Sequence, residues 1–71
     1  MDFAARLLEL RREKGFTQKQ LAQVTNLSEI GIRNYERRAR EPAFSQLLRL
    51  AEFFDVSLDY LVGRSNNPQR F

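Results

Sequence analysis

One helix-start pattern occurs three times in the sequence, and two of the copies are separated by very little chain. Each copy has a hydroxyl residue that follows one apolar residue and precedes another by four positions. The hydroxyl can accept a hydrogen bond from a free N–H of the first turn, and the apolar pair fixes how the chain enters the helix. The copies are Phe16–Thr17–Leu21, Leu27–Ser28–Ile32 and Val56–Ser57–Leu61.

Helical periodicity covers most of the remaining chain. Phe3, Leu7 and Leu10 have the spacing of one helix face, and a similar pattern recurs around Leu50. No segment alternates between apolar and polar residues for long enough to predict a strand. The sequence therefore predicts an all-α fold with helices over residues 2–14, 17–24, 28–37, 44–55 and 57–62. Residues 1–64 are predicted to form one domain, and residues 65–71 a flexible C-terminal tail or linker.

The connection between the second and third predicted helices is very short. It consists of about three residues, Thr25, Asn26 and Leu27. Two short helices joined so tightly must cross at a steep angle, which is the geometry of a helix-turn-helix motif.

The amino-acid composition argues against several classes of function. The 71 residues include no cysteine and no histidine, so disulfides, the usual zinc ligands, thiol nucleophiles and imidazole bases are all excluded. We therefore expect no cofactor, no metal and no enzymatic activity. No apolar run approaches the roughly 20 residues that span a bilayer, and the N-terminus does not resemble a signal peptide. A soluble cytoplasmic protein is expected.

The positive charge is concentrated in the first part of the chain. The formal net charge is +3. Residues 1–41 contain nine basic and six acidic side chains, whereas residues 42–71 contain three of each. This distribution indicates a polyanionic partner for the first part, although a solvated surface can carry the same excess.

The predicted third helix has an unusual exposed face. At 100° per residue, Ile32 and Tyr35 fall on the buried side, whereas Ile30 falls among polar and charged side chains. A mixture of donors, acceptors and one aliphatic group matches the base edges and thymine methyl of a major groove. An exposed isoleucine on its own is common on protein surfaces, so the hypothesis depends on the whole face.

Gly31 is unexpected inside a helix, where glycine costs roughly 1 kcal/mol relative to alanine. One interpretation is that it allows a close approach of Ala22 or of a DNA backbone. The alternative is a tolerated weak position.

The ordered motifs resemble the phage repressor and Cro type of helix-turn-helix protein, also called the XRE family. The resemblance covers residues 3–64 and rests on several short pieces rather than on one diagnostic motif. They are Thr17-Gln18-x-Gln20-Leu21-Ala22, Asn26-Leu27-Ser28, Ile32-x-x-Tyr35-Glu36, Arg40-Glu41-Pro42, Leu47-Leu48-x-Leu50-Ala51 and Val56-Ser57-Leu58-Asp59-Tyr60-Leu61-x-Gly63.

The resemblance implies a compact five-helix, lambda-repressor-like fold and a transcriptional regulator, most often a repressor. Such proteins usually bind double-stranded operator DNA as homodimers, with the third helix in the major groove and half-sites about 34 Å apart. The base-reading residues would be Ser28, Glu29, Ile30, Arg33 and Asn34. The phosphate contacts would be Arg11, Gln18, Lys19, Arg37, Arg38 and Arg40.

The resemblance also implies a structural brace between Arg11 and Glu36. The expected dimer interface consists of Leu58, Leu61 and Val62.

Three positions depart from the family pattern. Arg38 stands where relatives often have glycine, which suggests a left-handed residue whose guanidinium reaches a phosphate. Ala43 replaces a capping hydroxyl, so the fourth helix is expected to start later, near Ser45. Glu29 is an unusual acidic residue on a face directed at DNA.

The alternative function is an antitoxin or another protein-interaction module of the same fold. Its partner would bind the fifth helix or the tail, through the apolar residues Leu58, Tyr60, Leu61, Val62 and Phe71. The operator sequence, the inducing signal and any protein partner are not encoded in a recognisable motif.

Overall fold

A computed structural model describes residues 1–70, and these residues form five α-helices and no strand. Every helix boundary lies within one residue of the boundary predicted from sequence, so the all-α prediction is confirmed. The helices are α1 (Phe3–Glu13), α2 (Gln18–Thr25), α3 (Glu29–Glu36), α4 (Phe44–Phe54) and α5 (Leu58–Leu61).

All three predicted capping hydroxyls make their hydrogen bonds. Thr17 Oγ1 accepts from the backbone N–H of Gln20 at 3.0 Å, and the Gln20 side chain accepts from the N–H of Thr17 at 2.9 Å. Ser28 and Ser57 each accept from the N–H three residues later, at 2.9 and 3.0 Å. Asp2 caps α1 in the same way at 3.0 Å. Each cap contributes about 1 kcal/mol to the stability of its helix.

The start of α4 lacks a capping hydroxyl but is not delayed. The helix begins at Phe44, which agrees with the range predicted from periodicity, so only the delay toward Ser45 expected from the missing hydroxyl was wrong. The side chain of Gln46 caps the start of the helix instead, because its Oε1 accepts a hydrogen bond from the N–H of Ala43 at 2.7 Å. The same oxygen accepts from the Tyr35 hydroxyl at 2.7 Å, which ties α4 to α3.

The core takes one fully buried aliphatic side chain from each of the five helices. These side chains are 0% exposed, and they are Leu7, Leu21, Ile32, Leu50 and Leu61. Truncation of a buried leucine or isoleucine to alanine costs roughly 2–5 kcal/mol. Each helix, including the four-residue α5, is therefore fixed to the others by apolar packing.

The turn between α2 and α3 has the conformation that a three-residue connection requires. Asn26 is left-handed, with φ 57°, a conformation that asparagine tolerates better than most residues. The N–H of Leu27 donates to the carbonyl of Ala22 at 3.0 Å. Thr25 is buried and its hydroxyl donates to the carbonyl of Leu21 at 2.7 Å. The predicted helix-turn-helix is confirmed.

The beginning of the chain packs against the end of α5. Gly63 has φ 85°, and a Cβ added there would lie 1.7 Å from the carbonyl oxygen of Met1. Only glycine fits this close approach with that backbone conformation.

Residues 65–70 have specific partners, although their composition predicted a free linker. The N–H of Ser57 donates to the carbonyl of Pro68 at 2.9 Å. The Arg70 guanidinium lies 3.1 Å from the carboxylate of Asp55. This segment therefore lies along the junction of α4 and α5.

Candidate nucleic-acid interface

The outward face of α3 has the mixed character expected from the sequence. Ile32 and Tyr35 are buried, at 0% and 4% exposure, and hold the helix to the core. Ile30 is 65% exposed on the opposite side, which confirms that it is not a core residue. Asn34 is half-buried. The helix thus presents an aliphatic group and polar groups to solvent from a firmly packed base.

A buried ion pair connects the C-terminal end of α3 to α1. Arg11 Nε lies 2.6 Å from Glu36 Oε2, and Arg11 Nη2 lies 2.9 Å from Glu36 Oε1, so the contact is bidentate. The Arg11 Nη1 donates to the carbonyl of Phe16 at 2.8 Å. Gln18 also donates its side-chain amide to Glu36 Oε1, at 3.0 Å. One carboxylate at the end of α3 therefore joins α1 and the start of α2.

This geometry corrects the assignment of Arg11 to a DNA phosphate. Its side chain is 13% exposed, and all three guanidinium nitrogens already donate to Glu36 or Phe16. The half-buried Gln18 remains at the N-terminus of α2, and the exposed Lys19 follows it. These two residues are the first of α2. The free N–H groups at the start of a helix favour an anion.

The nearest neighbours of a Cβ added at Gly31 belong to Ser28 and Tyr35 and not to Ala22, so the structure gives no support to a close approach of Ala22. A Cβ at Gly31 would lie 2.8 Å from the Ser28 hydroxyl and 3.7 Å from the Tyr35 hydroxyl. The Ser28 hydroxyl is the α3 cap, and a larger residue at position 31 would push it aside. Gly31 therefore leaves room for the cap that starts the helix.

An ion pair joins the basic loop after α3 to the N-terminal end of the chain. Arg38 is left-handed, with φ 59°, as the departure from glycine suggested. Its Nε and Nη2 lie 2.6 and 2.9 Å from the two carboxylate oxygens of Asp2. The Arg38 guanidinium thus has a carboxylate partner in the described structure, where the sequence predicted a phosphate. Arg37 and Arg40 are exposed on the same loop.

The two partners of this pair shift each other's titration. The hydrogen bond from Arg38, together with the backbone N–H of Ala5, lowers the pKa of Asp2 below its ordinary 3.8. The same contact raises the pKa of Arg38. The pKa of Tyr35 is raised above 10.0 because the ring is removed from water.

The expected dimer interface on α5 requires a correction. Leu61 is 0% exposed and packs into the core, so its side chain cannot contact a second subunit. Leu58 and Val62 are half-buried and retain some accessible surface. Tyr60 is covered by the Arg6 guanidinium, whose carbon lies 3.6 Å from the ring centre. Phe71 lies outside the described residues.

Sequence reasoning missed two charged residues with structural roles. Asp2 precedes the first apolar helix face, and this capping signal could have identified it. Arg6 is 5% exposed, stacks on Tyr60, and lies 3.5 Å from Glu9. Its Nε has no hydrogen-bond partner among the described residues. No sequence signal distinguishes this buried arginine from the exposed ones nearby.

Residues 7–61 match the model of a helix-turn-helix family. The chain belongs to this family. Among its relatives, a Bacillus subtilis HTH-type transcriptional regulator, ImmR, is 41% identical over 64 residues. That alignment covers 90% of this chain and 50% of ImmR. The chain spans about half the length of the curated relatives it matches, which shows that they contain further residues.

Two solved structures share the fold of this family member. The P22 c2 repressor, in complex with a synthetic operator, has a TM-score of 0.84 at 26% identity, over 92% of this chain and 98% of that one. A transcriptional regulator from Listeria innocua has a TM-score of 0.79 at 34% identity, over 86% and 57% of the two chains. The five-helix, lambda-repressor-like architecture is therefore shown.

Within residues 1–70, every helix is too short or too polar to cross a membrane. The same part of the chain contains no group of three carboxylates placed to hold a metal ion.

Proposed function

We propose that this chain is the sequence-specific DNA-binding domain of a transcriptional repressor. The observation that supports this most is the outward face of α3, where a 65% exposed isoleucine stands among polar side chains on a rigidly braced helix. The family relationship and the likeness to a repressor solved with its operator support the same function. They also argue against enzymatic activity. Binding to the chromosome would place the protein in the cytoplasm.

In this proposal α3 enters the major groove and α2 lies across the DNA backbone. Ile30 would contact a thymine methyl and Asn34 would bond an adenine edge. Ser28 Oγ already accepts the capping hydrogen bond from the N–H of Gly31. The Ser28 O–H group would donate to a base. Gln18, Lys19, Arg37 and Arg40 would contact phosphates.

The dimeric state is part of the proposal. Two copies on a palindromic operator would place their α3 helices about 34 Å apart, one turn of DNA. The partly accessible side chains of Leu58 and Val62 at α5 supply the apolar surface for this contact. An operator with a single half-site would contradict the dimer and leave DNA binding intact.

Selection of bound sequences from random duplex DNA tests the function. We expect one enriched sequence with two inverted half-sites. Binding measured by fluorescence anisotropy should weaken as salt is added. The logarithm of the association constant should fall with the logarithm of the salt concentration, with a slope of about −0.9 per neutralised phosphate. The variant Arg37→Ala should reduce this slope by about 1, whereas Asn34→Ala should keep the slope and cost roughly 1–3 kcal/mol on the selected site alone.

The alternative function, a protein-interaction module such as an antitoxin, predicts a different result of this selection. Such a protein would show no enriched duplex sequence in the same selection. That outcome would overturn the DNA-binding proposal.

A further inference from the structure

Glu29 and Arg33 face each other one helical turn apart on the outward side of α3. Arg33 Nη2 lies 3.6 Å from Glu29 Oε2, and the side chains are 49% and 44% exposed. This separation is longer than a hydrogen bond. Both groups therefore keep their hydrogen-bonding capacity while each charge is partly neutralised by the other.

The pairing accounts for an acidic residue on a face directed at DNA. A lone carboxylate in the major groove would be repelled by the phosphates on both sides. With Arg33 beside it, Glu29 belongs to a unit with no net charge. An exposed pair of this kind contributes little to helix stability, so stability is a weak reason for its presence.

The chemistry of the pair matches a particular base pair. In the major groove a G·C pair presents two acceptors, guanine N7 and O6, followed by one donor, the cytosine N4 amino group. A guanidinium only donates and a carboxylate only accepts. Arg33 therefore offers the donors, and Glu29 the acceptor, that one G·C pair requires.

We propose, on the basis of the function proposed above, that Glu29 and Arg33 read one G·C base pair as a single unit. Arg33 donates to guanine N7 and O6. Glu29 accepts from the amino group of the paired cytosine and holds the guanidinium in place. The operator half-site thus contains a G·C pair beneath this unit, beside the base pair whose thymine methyl meets Ile30.

The test compares the site selected from random duplexes with a second duplex in which this G·C pair is replaced by A·T. Dissociation constants are measured by anisotropy for the wild type, Glu29→Gln, Arg33→Gln and the double variant. The wild type should prefer G·C by about 5- to 150-fold. Each single variant should lose this preference to within about twofold, and the double variant should bind no more weakly than the weaker single one.

Two control variants separate a failure of the coupled Glu29–Arg33 reading from a general loss of DNA binding. Ile30→Ala should keep the G·C preference, and Glu52→Gln removes the same charge from the exposed side of α4 and should bind like the wild type. Circular dichroism melts confirm that each variant is folded. Independent, multiplicative losses at Glu29 and Arg33, or a selected site without the G·C pair, would overturn the coupled reading alone. A wild type with no sequence preference would overturn the proposed function as well.

Discussion

Removal of the buried brace should be the most damaging single change outside the aliphatic core. The side chains of Arg11 and Glu36 are 13% and 7% exposed, and their contact is bidentate. In Arg11→Ala the Glu36 carboxylate would remain buried without its cation, which costs about 3–5 kcal/mol. The total free energy of unfolding of a 71-residue domain is roughly 4–11 kcal/mol. The variant should therefore lose a large part of its stability.

Urea unfolding followed by circular dichroism at one wavelength gives this free energy by linear extrapolation. The exposed pair on α3 provides a matched control, because Arg33→Ala also removes one arginine from an arginine–glutamate contact. Its side chains are 49% and 44% exposed, and such pairs contribute about 0.2–1 kcal/mol. Equal losses in Arg11→Ala and Arg33→Ala would refute the reasoning from burial.

The double variant Arg11→Met with Glu36→Leu separates the cost of an unpaired buried charge from the role of the ion pair in positioning α2. Replacement of both partners by apolar side chains leaves no buried charge, so most of the lost stability should return. Gln18 would still lose its acceptor on Glu36, and the start of α2 would be less well positioned. We therefore expect a folded double variant with weakened DNA binding.

Three further predictions concern the chain ends and α3. Because the folded pKa of Asp2 is lowered, its contact with Arg38 stabilises the protein above pH 3.8 and is lost as the pH falls through the folded pKa. The difference in Tm between wild type and Asp2→Asn should accordingly disappear in acid; a constant difference would contradict the contact. Gly63→Ala should lower the Tm more than Gly15→Ala, because both have positive φ but only Gly63 faces a backbone atom, at 1.7 Å. Equal shifts would show that φ alone matters. Ile30→Ala should weaken binding to the selected duplex yet change unfolding by no more than about 0.5 kcal/mol; a larger change in urea unfolding would mean that Ile30 supports the fold.

Local patterns in the sequence predicted the helices because local contacts form them. The capping hydroxyls at Thr17, Ser28 and Ser57 bond to N–H groups three residues away, so the relevant partners are visible in the sequence itself. The same applies to the outward position of Ile30, which follows from the helical repeat. Asn26 allows the left-handed turn between α2 and α3 through its own backbone preference.

The roles of the charged side chains could not be read in this way. In the sequence, Arg33, Arg37 and Arg38 all look like basic groups of one DNA-binding surface, and only the family resemblance paired Arg11 with Glu36. Their separate roles depend on which carboxylate lies nearby in space. Arg38 meets Asp2 from 36 positions away, and this separation carries no sequence signal.

The sequence by itself determined five helices, the three capping hydroxyls, the tight turn and the mixed face of α3, since each depends on residues within one or two helical turns. Only the tertiary structure decided that Arg11 and Leu61 are internal, that Asp2 holds Arg38, and that residues 65–70 lie against α4 and α5. The physical reason is that burial and ion pairing depend on groups brought together by the packing of all five helices.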